Sequence, residues 1–327
     1  MQAKTFLITG GTGFIGSALV HALVKAGFKV RVFDNDSRGS IGRLDAIRDR
    51  IEFVHGDIRN ASLVDEAVSG IDCVCHLAFV NGTRFFYTEP EVVLDIGVKG
   101  MINVLDASIH RKTPEFVLAS SSEVYQTAAT IPTPEAVPLT IPDPYNPRYS
   151  YGGAKIVSEL MAIHYGRKHF DRMMVFRPHN VYGPQMGWDH VIPQFIVRLA
   201  RLSRQQRGRI PFPIQGSGEE TRSFVFIDDA IDGVMRVLEK GQHLNTYNVG
   251  TTEELSIKQL ARLIADCMGV EIDIVPGALP AGSTQRRCPD ISKISVLGYR
   301  PEFTLKTALP QVVDWYVSHL DVAPDEA

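Results

Sequence analysis

The stretch Thr5-Phe6-Leu7-Ile8-Thr9-Gly10-Gly11-Thr12-Gly13-Phe14-Ile15-Gly16 decides the fold. Thr5 to Thr9 is a short apolar run of strand type, and Phe14 opens a segment of helical periodicity that continues to Ala26. Between them Gly10, Gly13 and Gly16 keep a Gly-x-x-Gly-x-x-Gly spacing. Lacking a Cβ, they let the backbone turn tightly and approach a pyrophosphate at the positive end of the helix. Glycines also occur in ordinary turns, so the triplet gains its meaning from standing between a strand and a helix.

The same alternation continues downstream. Strand candidates are Lys29 to Phe33, Ile51 to His55, Cys73 to Leu77, Phe116 to Ser120 and Met173 to Arg177. Helix candidates are Ala61 to Val68, Val92 to His110 and Tyr151 to His169. Short strands alternating with longer helices make an α/β doubly wound parallel sheet, the Rossmann architecture. The pattern is regular to about residue 178. Pro178, Pro184, Pro193, Pro211 and Pro213 then interrupt it, and strand and helix signals return from Phe224 to Val249. The expected division is a dinucleotide-binding domain over 1–178 plus about 224–250, with a smaller C-terminal lobe from about 179–223 and 251–327. That lobe should close over the carboxyl edge of the sheet, where open α/β sheets bind ligands.

Asp34 ends the second strand, at the distance where a carboxylate accepts hydrogen bonds from the adenine ribose. An acid there repels a 2′-phosphate and favours NAD over NADP. Arg38 keeps NADP as the minor alternative, although Asp34-Asn35-Asp36 around it is acidic. Asp57, in Gly56-Asp57-Ile58 after the third strand, reads equally well as a contact to the adenine amino group or as the N-cap of the next helix.

Composition narrows the partners. The chain has 327 residues, 44% hydrophobic and 22% charged, with a formal net charge of −3. That supplies a large core and no basic run for a nucleic acid or an anionic membrane, so the expected partner is a small molecule. Cys73, Cys75, Cys267 and Cys288 read as reduced thiols, because no second ligand pair accompanies Cys73-x-Cys75, and no metal is expected. No apolar run reaches membrane-spanning length and a strand begins at Lys4, so a cytoplasmic address is expected.

Tyr151-Gly-Gly-Ala-Lys155 puts a phenol and an ammonium one helical turn apart. A nearby cation should lower the phenol toward neutrality, so that it can take a proton from a hydroxyl while hydride leaves. Upstream, Ala119-Ser120-Ser121-Ser122-Glu123-Val124-Tyr125 would carry hydroxyls and a carboxylate to the sheet's carboxyl edge.

With these motifs in place, the sequence resembles the extended short-chain dehydrogenases that act on nucleotide-sugars: 4-epimerases, 4,6-dehydratases and UDP-glucuronate decarboxylases. The likeness runs through nearly the whole chain. It adds His76-Leu77-Ala78, Arg177-Pro178-His179-Asn180-Val181-Tyr182-Gly183-Pro184, Arg222-Ser223-Phe224-Val225-Phe226 and Arg286-Arg287-Cys288-Pro289-Asp290-Ile291. The resemblance implies NAD as cofactor and a nucleotide-sugar as substrate. It implies Ser121 holding the sugar's C4 oxygen, Tyr151 as base and Lys155 as its electrostatic partner and a cofactor-ribose ligand. Asn180 would touch the diphosphate, which Arg222 and Arg287 would neutralise; the competing reading for the arginines is solvated salt bridges. The candidate cofactor set is then Gly10, Gly13, Phe14, Ile15, Gly16, Asp34, Asn35, Asp57, Ile58, Leu77, Ala78, Tyr151, Lys155 and Pro178. The substrate set is Ser121, Ser122, Glu123, Asn180, Arg222 and Arg287. Helices Val92 to His110 and Tyr151 to His169 resemble the pair that forms the family's dimer interface, so a homodimer is expected.

Three positions depart from the family pattern. Gly97 stands where Asn is usual, Gln126 replaces a Gly after Val-Tyr, and Phe79 replaces an Ala after His-Leu-Ala. Together they suggest an unusual substrate. Glu123 bears on the reaction, because a dehydratase needs a base at C5 and a 4-epimerase does not. Ser122 occupies the place of the acid found in dTDP-glucose dehydratases, and His190-Val191-Ile192-Pro193-Gln194-Phe195 lacks the arginine usual in decarboxylases. The reading leans to a C4 oxidation followed by epimerisation, then 4,6-dehydration with Glu123 as base, then decarboxylation. A catalytically silent NAD-binding regulator is the alternative of another class.

Overall fold

The computed structural model describes residues 4–206, 208–280 and 282–324; the ends of the expected domains, 1–3 and 325–327, lie outside them. Seven parallel strands form one sheet: β1 (Thr5–Thr9), β2 (Lys29–Asp34), β3 (Ile51–His55), β4 (Cys73–His76), β5 (Glu115–Ala119), β6 (Arg172–Pro178) and β7 (Asn245–Val249). Their order is β3-β2-β1-β4-β5-β6-β7, so the winding reverses between β1 and β4. At that switch the carboxyl ends of two neighbouring strands part and leave a crevice.

Helix α1 (Phe14–Lys25) lies on one face with α5 (Ile227–Lys240). The other face carries α2 (Ala61–Val68), α3 (Gly100–His110) and α4 (Tyr149–His169). Strand β1 shows why both faces must be covered: Phe6 and Ile8 enter the core on the α1 side while Leu7 enters the core beneath α2 and α3. Alternate residues of a strand point to opposite faces, and here both are apolar. Each fully buried residue of this size contributes roughly 1.5–3 kcal/mol.

Three expectations change. The helix expected over Val92 to His110 is broken into Pro90–Leu94, a wider π turn at Asp95–Lys99 and α3. The π turn contains Gly97, a weak helix former whose carbonyl also accepts a bond from Ser158 Oγ at 3.3 Å. The second helix begins at Tyr149, two residues before the expected start.

The prolines after residue 178 do not remove regular structure either. Pro193 sits in the first turn of a helix over Val191–Gln205, where a missing N–H has no helical partner to lose. Pro211 and Pro213 occupy the exposed positions of strand Ile210–Ile214, which among the described residues pairs only with Ile272–Pro276.

Cys73, Cys75, Cys267 and Cys288 are free thiols, and among the described residues no group of three or more potential ligands could hold a metal. No helix of the described residues is long and apolar enough to cross a membrane.

Candidate active site

The glycine loop is built by steric exclusion. Gly10 takes φ +73°, and a Cβ there would lie 2.6 Å from Ala78 N, at the end of β4. A Cβ at Gly16 would lie 2.1 Å from Gly10 O, so the first turn of α1 can pack on the loop only without one. Gly13 caps α1 with no side-chain acceptor, leaving the helix's leading N–H groups facing the crevice. Those features fit the pyrophosphate of a dinucleotide.

All twenty candidate cofactor and substrate residues line one cavity of about 430 Å3, from Gly10 and Asp34 at one end to Arg222 and Arg287 at the other. It adjoins a wider cleft of about 1530 Å3 and shares Arg38, Arg148, Asn180, His190 and Arg222 with it. Asp34 braces the glycine loop, accepting from Thr12 N at 3.0 Å and Asp36 N at 2.9 Å. Arg38 donates to Asn81 O at 2.8 Å and pairs with Asp189 at 3.5 Å. Its guanidinium is therefore engaged across the cleft and does not offer a 2′-phosphate an unpaired cation.

Asp57 is not a helix cap. Asn60 caps α2, accepting from Leu63 N at 3.3 Å, whereas Asp57 grips Arg59 and accepts from Asn35 Nδ2 at 3.2 Å. Those bonds, Arg59's foremost, hold the Asp57 carboxyl below its usual range despite burial.

Ser121, Tyr151 and Lys155 converge where β5 ends and α4 begins. Ser121 lies beside the Tyr151 phenol and favours its ionised form, and its Oγ accepts from Glu123 N at 3.2 Å, capping the turn Ser122–Val124. The phenol differs from the lysine-lowered group expected from spacing. Burial raises its pKa above the usual tyrosine value, with Glu123 adding to the rise and Ser121 opposing it. Lys155 Nζ instead donates to Ala119 O at 2.7 Å and sits 4.0 Å from the centroid of the Phe79 ring, against 5.8 Å for Tyr151. Burial pushes the ammonium down to about 7, against the pull of Glu159.

Opposite the trio, Glu123 Oε1 accepts from Arg287 Nη1 at 2.5 Å. Burial alone would raise this carboxyl, yet Arg287, Arg148 and Arg222 together hold it below its usual range. Arg222 donates to the carbonyls of Thr221 and Thr284, and burial followed by the Arg287 charge pushes it down to about 10. Asn180, at φ +41°, donates to Ser223 O at 2.8 Å and ties the motif after β6 to the strand carrying Arg222. Ser122 is buried, as is Ser120, which donates to Glu159.

Several residues escaped sequence reading. Arg148, just before α4, is a third guanidinium at Glu123. Glu159 and Arg177 form a buried pair below the site, although Glu159 stands one turn after Lys155 and that spacing was visible. Phe86 stacks on Tyr151 with centroids 5.0 Å apart, and Phe79 meets the same ring edge-on at 5.0 Å. Gln126 takes φ +47°, a conformation that favours glycine, and its Nε2 donates to Glu123 O at 2.6 Å.

Comparison with known proteins identifies the family. The model of the NAD dependent epimerase/dehydratase family matches residues 6–250. A dTDP-glucose 4,6-dehydratase of Streptomyces antibioticus is 32% identical over 319 residues, 95% of this chain and 91% of the relative. UDP-glucuronic acid decarboxylase 5 of Arabidopsis thaliana is 31% identical over 93% of this chain and 86% of its own length. A UDP-glucose 4-epimerase of Thermotoga maritima, solved with UDP-glucose, superposes with a TM-score of 0.85 at 27% identity, covering 97% of this chain and 99% of that one.

Proposed function

The chain belongs to the NAD-dependent epimerase/dehydratase family, and from that premise we propose that it inverts C4 of a nucleotide-sugar through a 4-keto intermediate. The relatives cover a 4,6-dehydratase, a decarboxylase and a 4-epimerase, so the choice among these reactions rests on the site. NAD, when bound, supplies the acceptor for the C4 hydride and returns it afterwards. Burial alone keeps the Tyr151 phenol protonated, so its role as base requires that the positive charges of bound NAD and of Lys155 favour the phenolate. That oxygen then receives the C4 hydroxyl's proton, while Ser121, beside it, holds the substrate oxygen in line. Lys155 lies one turn further along α4 and holds positive charge beside the phenol and the ribose. Loop 10–16, Asp34 and the residues ending β3, β4 and β6 hold the cofactor, and Asn180, Arg222, Arg287 and Arg148 hold the diphosphate. Nε of Arg148 and of Arg287, both lining the cavity, have no partner among the described residues, leaving donors for an anion. The segments 179–223 and 251–327 supply the substrate lobe.

The observation that carries the reading is the ionised Glu123, gripped by Arg287 and beside Ser122. Elimination at C5 and C6 requires a basic carboxylate for the C5 proton and an acid for the leaving hydroxyl. A carboxylate stabilised by three guanidiniums is a weak base, and Ser122 is no acid. Dehydration remains the second reading because Glu123 faces the cavity, and transfer of Arg287 to a diphosphate would free it.

The test is incubation with UDP-, dTDP-, GDP- and CDP-sugars in deuterated water, with products read by mass and NMR. Unchanged mass with inverted C4 is expected; loss of water with deuterium at C5 would establish the dehydratase, and loss of carbon dioxide the decarboxylase.

We also propose a cytoplasmic homodimer. Leu94, Ile102, Val157 and Leu160 stand exposed on the Pro90–His110 segment and α4, the largest at 53%. Leu160→Asp should shift the sedimentation coefficient to that of a monomer.

A further inference from the structure

We infer that Phe79 is a positioning residue for the reaction: its ring, admitted by the missing side chain at Gly97, holds the Lys155 ammonium on its face and the Tyr151 ring at its edge. The inference rests on the roles proposed above for Tyr151 and Lys155. Two departures noted separately in the sequence, one side chain enlarged and one deleted, occupy a single space. A Cβ at Gly97 would lie 2.4 Å from Phe79 Cζ and 2.7 Å from Cε2, and 3.0 Å from the Ala154 Cβ on α4. Any larger residue at 97 therefore displaces the ring. The π turn at Asp95–Lys99 carries Gly97 against α4, where Ser158 donates to its carbonyl.

Lys155 needs such support. It is 3% exposed, and among the described residues its only hydrogen bond goes to the Ala119 carbonyl. The nearest carboxylate along its helix, Glu159, has both oxygens occupied by Ser120 and Arg177. Beside the pull of Glu159, the electron-rich face of Phe79 is the nearest aromatic attraction for the charge, 4.0 Å from Nζ against 5.8 Å for Tyr151, and such contacts are strongest when desolvated. The same ring meets Tyr151 at 84° while Phe86 stacks on that phenol at 22°. Phe79 thus sets where both groups sit within a cluster of Val80, Phe86, Val93 and Tyr151.

The groups facing Lys155 are Tyr151 and Glu159 on its own helix and His76 on β4, with Glu123 reaching the phenol from the turn after β5. His76 is neutral, pushed down to about 3 by burial and the lysine. Removing the ring face consequently weakens the ammonium form alone, which lowers the Lys155 titration midpoint.

The experiment compares Phe79→Leu, Gly97→Ala and the double variant with the unaltered enzyme. It reads kcat and KM against pH, and the Lys155 Nζ titration by NMR of lysine labelled with nitrogen-15, assigned with Lys155→Met. For Phe79→Leu, kcat should fall about tenfold with KM within about twofold, and the Nζ midpoint and the alkaline limb of kcat should both move to lower pH. Gly97→Ala should give a similar loss, and the double variant should be no worse than Phe79→Leu, because the two changes act on one ring. Unchanged kcat, an unmoved Nζ titration, or losses that multiply in the double variant would overturn the inference. If Gly97→Ala does not fold, the Phe79→Leu measurements decide alone. Tyr151→Phe is the control: near-normal turnover there sinks the base assignment and this inference with it. Lost turnover there beside an unaffected Phe79→Leu sinks this inference only.

Discussion

Two carboxylate–guanidinium pairs lie beside Ser121, Tyr151 and Lys155, and they are built differently. Below them, Glu159 and Arg177 meet in two parallel bonds of 2.8 and 2.6 Å, with side-chain exposures of 2% and 5%. Their remaining capacity is used as well: Ser120 donates to Glu159, and Arg177 donates to Tyr125 Oη and the Glu135 carbonyl. Tyr125 then donates to Asn248, which contacts His179. At the cavity wall Glu123 and Arg287 share a single bond, Glu123 is 24% exposed, and Arg287 Nε has no partner. A closed network fixes the ends of β5, β6 and β7 relative to α4. A single contact with spare donors can be exchanged for a ligand. Both pairs join residues far apart in the chain, so satisfaction of the polar atoms, and not burial alone, separates the brace from the working pair.

The sharpest way to break this contrast is Glu159→Gln, which leaves Arg177 charged and buried without its counterion. Unfolding in denaturant should show a loss of about 3–5 kcal/mol; a loss below about 1 kcal/mol would mean that the lower pair braces nothing. Arg287→Gln should do the reverse. KM for the nucleotide-sugar should rise about 10–100-fold through lost charge-assisted bonds, with stability nearly unchanged.

The brace should also carry an acid sensitivity that begins at higher pH than that of the cavity wall. There the lowered Glu123 carboxyl loses its stabilising charge only below the ordinary carboxylate range. Burial pushes His179 down to about 3, and His76 likewise, so the folded chain stays unprotonated where the unfolded chain binds protons, between pH 6.5 and 3. Stability therefore falls as pH drops through that window, by about 1.4 kcal/mol per pH unit for each histidine. His179→Gln should flatten the acid limb of melting temperature against pH by one proton's slope. The smallest effect is expected from Glu123→Gln: melting within about 1 kcal/mol of the parent and epimerisation largely retained. Complete loss of turnover with loss of C5 exchange would move the working pair from binding to chemistry and favour dehydration.

Legibility in the sequence followed the range of the forces involved. The glycine loop, the strands through β6 and the Tyr151–Lys155 turn could be read because each depends on residues within a few positions of one another. Asp57 was ambiguous because a carboxylate after a strand can cap a helix or face a ligand, and only Arg59 and Asn60 in place resolved it. Pro193, Pro211 and Pro213 misled because proline's cost depends on whether its missing N–H would have had a partner. The lysine-tuned phenol also misled: spacing sets two groups on one helical face but says nothing of the solvent they lose.

By itself the sequence determined the parallel sheet, the dinucleotide crevice and the chemical types gathered at its edge, since backbone sterics and hydrophobic periodicity act locally. Only the tertiary structure decided how those groups are charged and what holds them. It put Phe79 into the space of Gly97, Arg148 beside Glu123 and Glu159 under Lys155. Desolvation and close packing depend on all neighbours at once, and those neighbours come from strands, turns and helices distant along the chain.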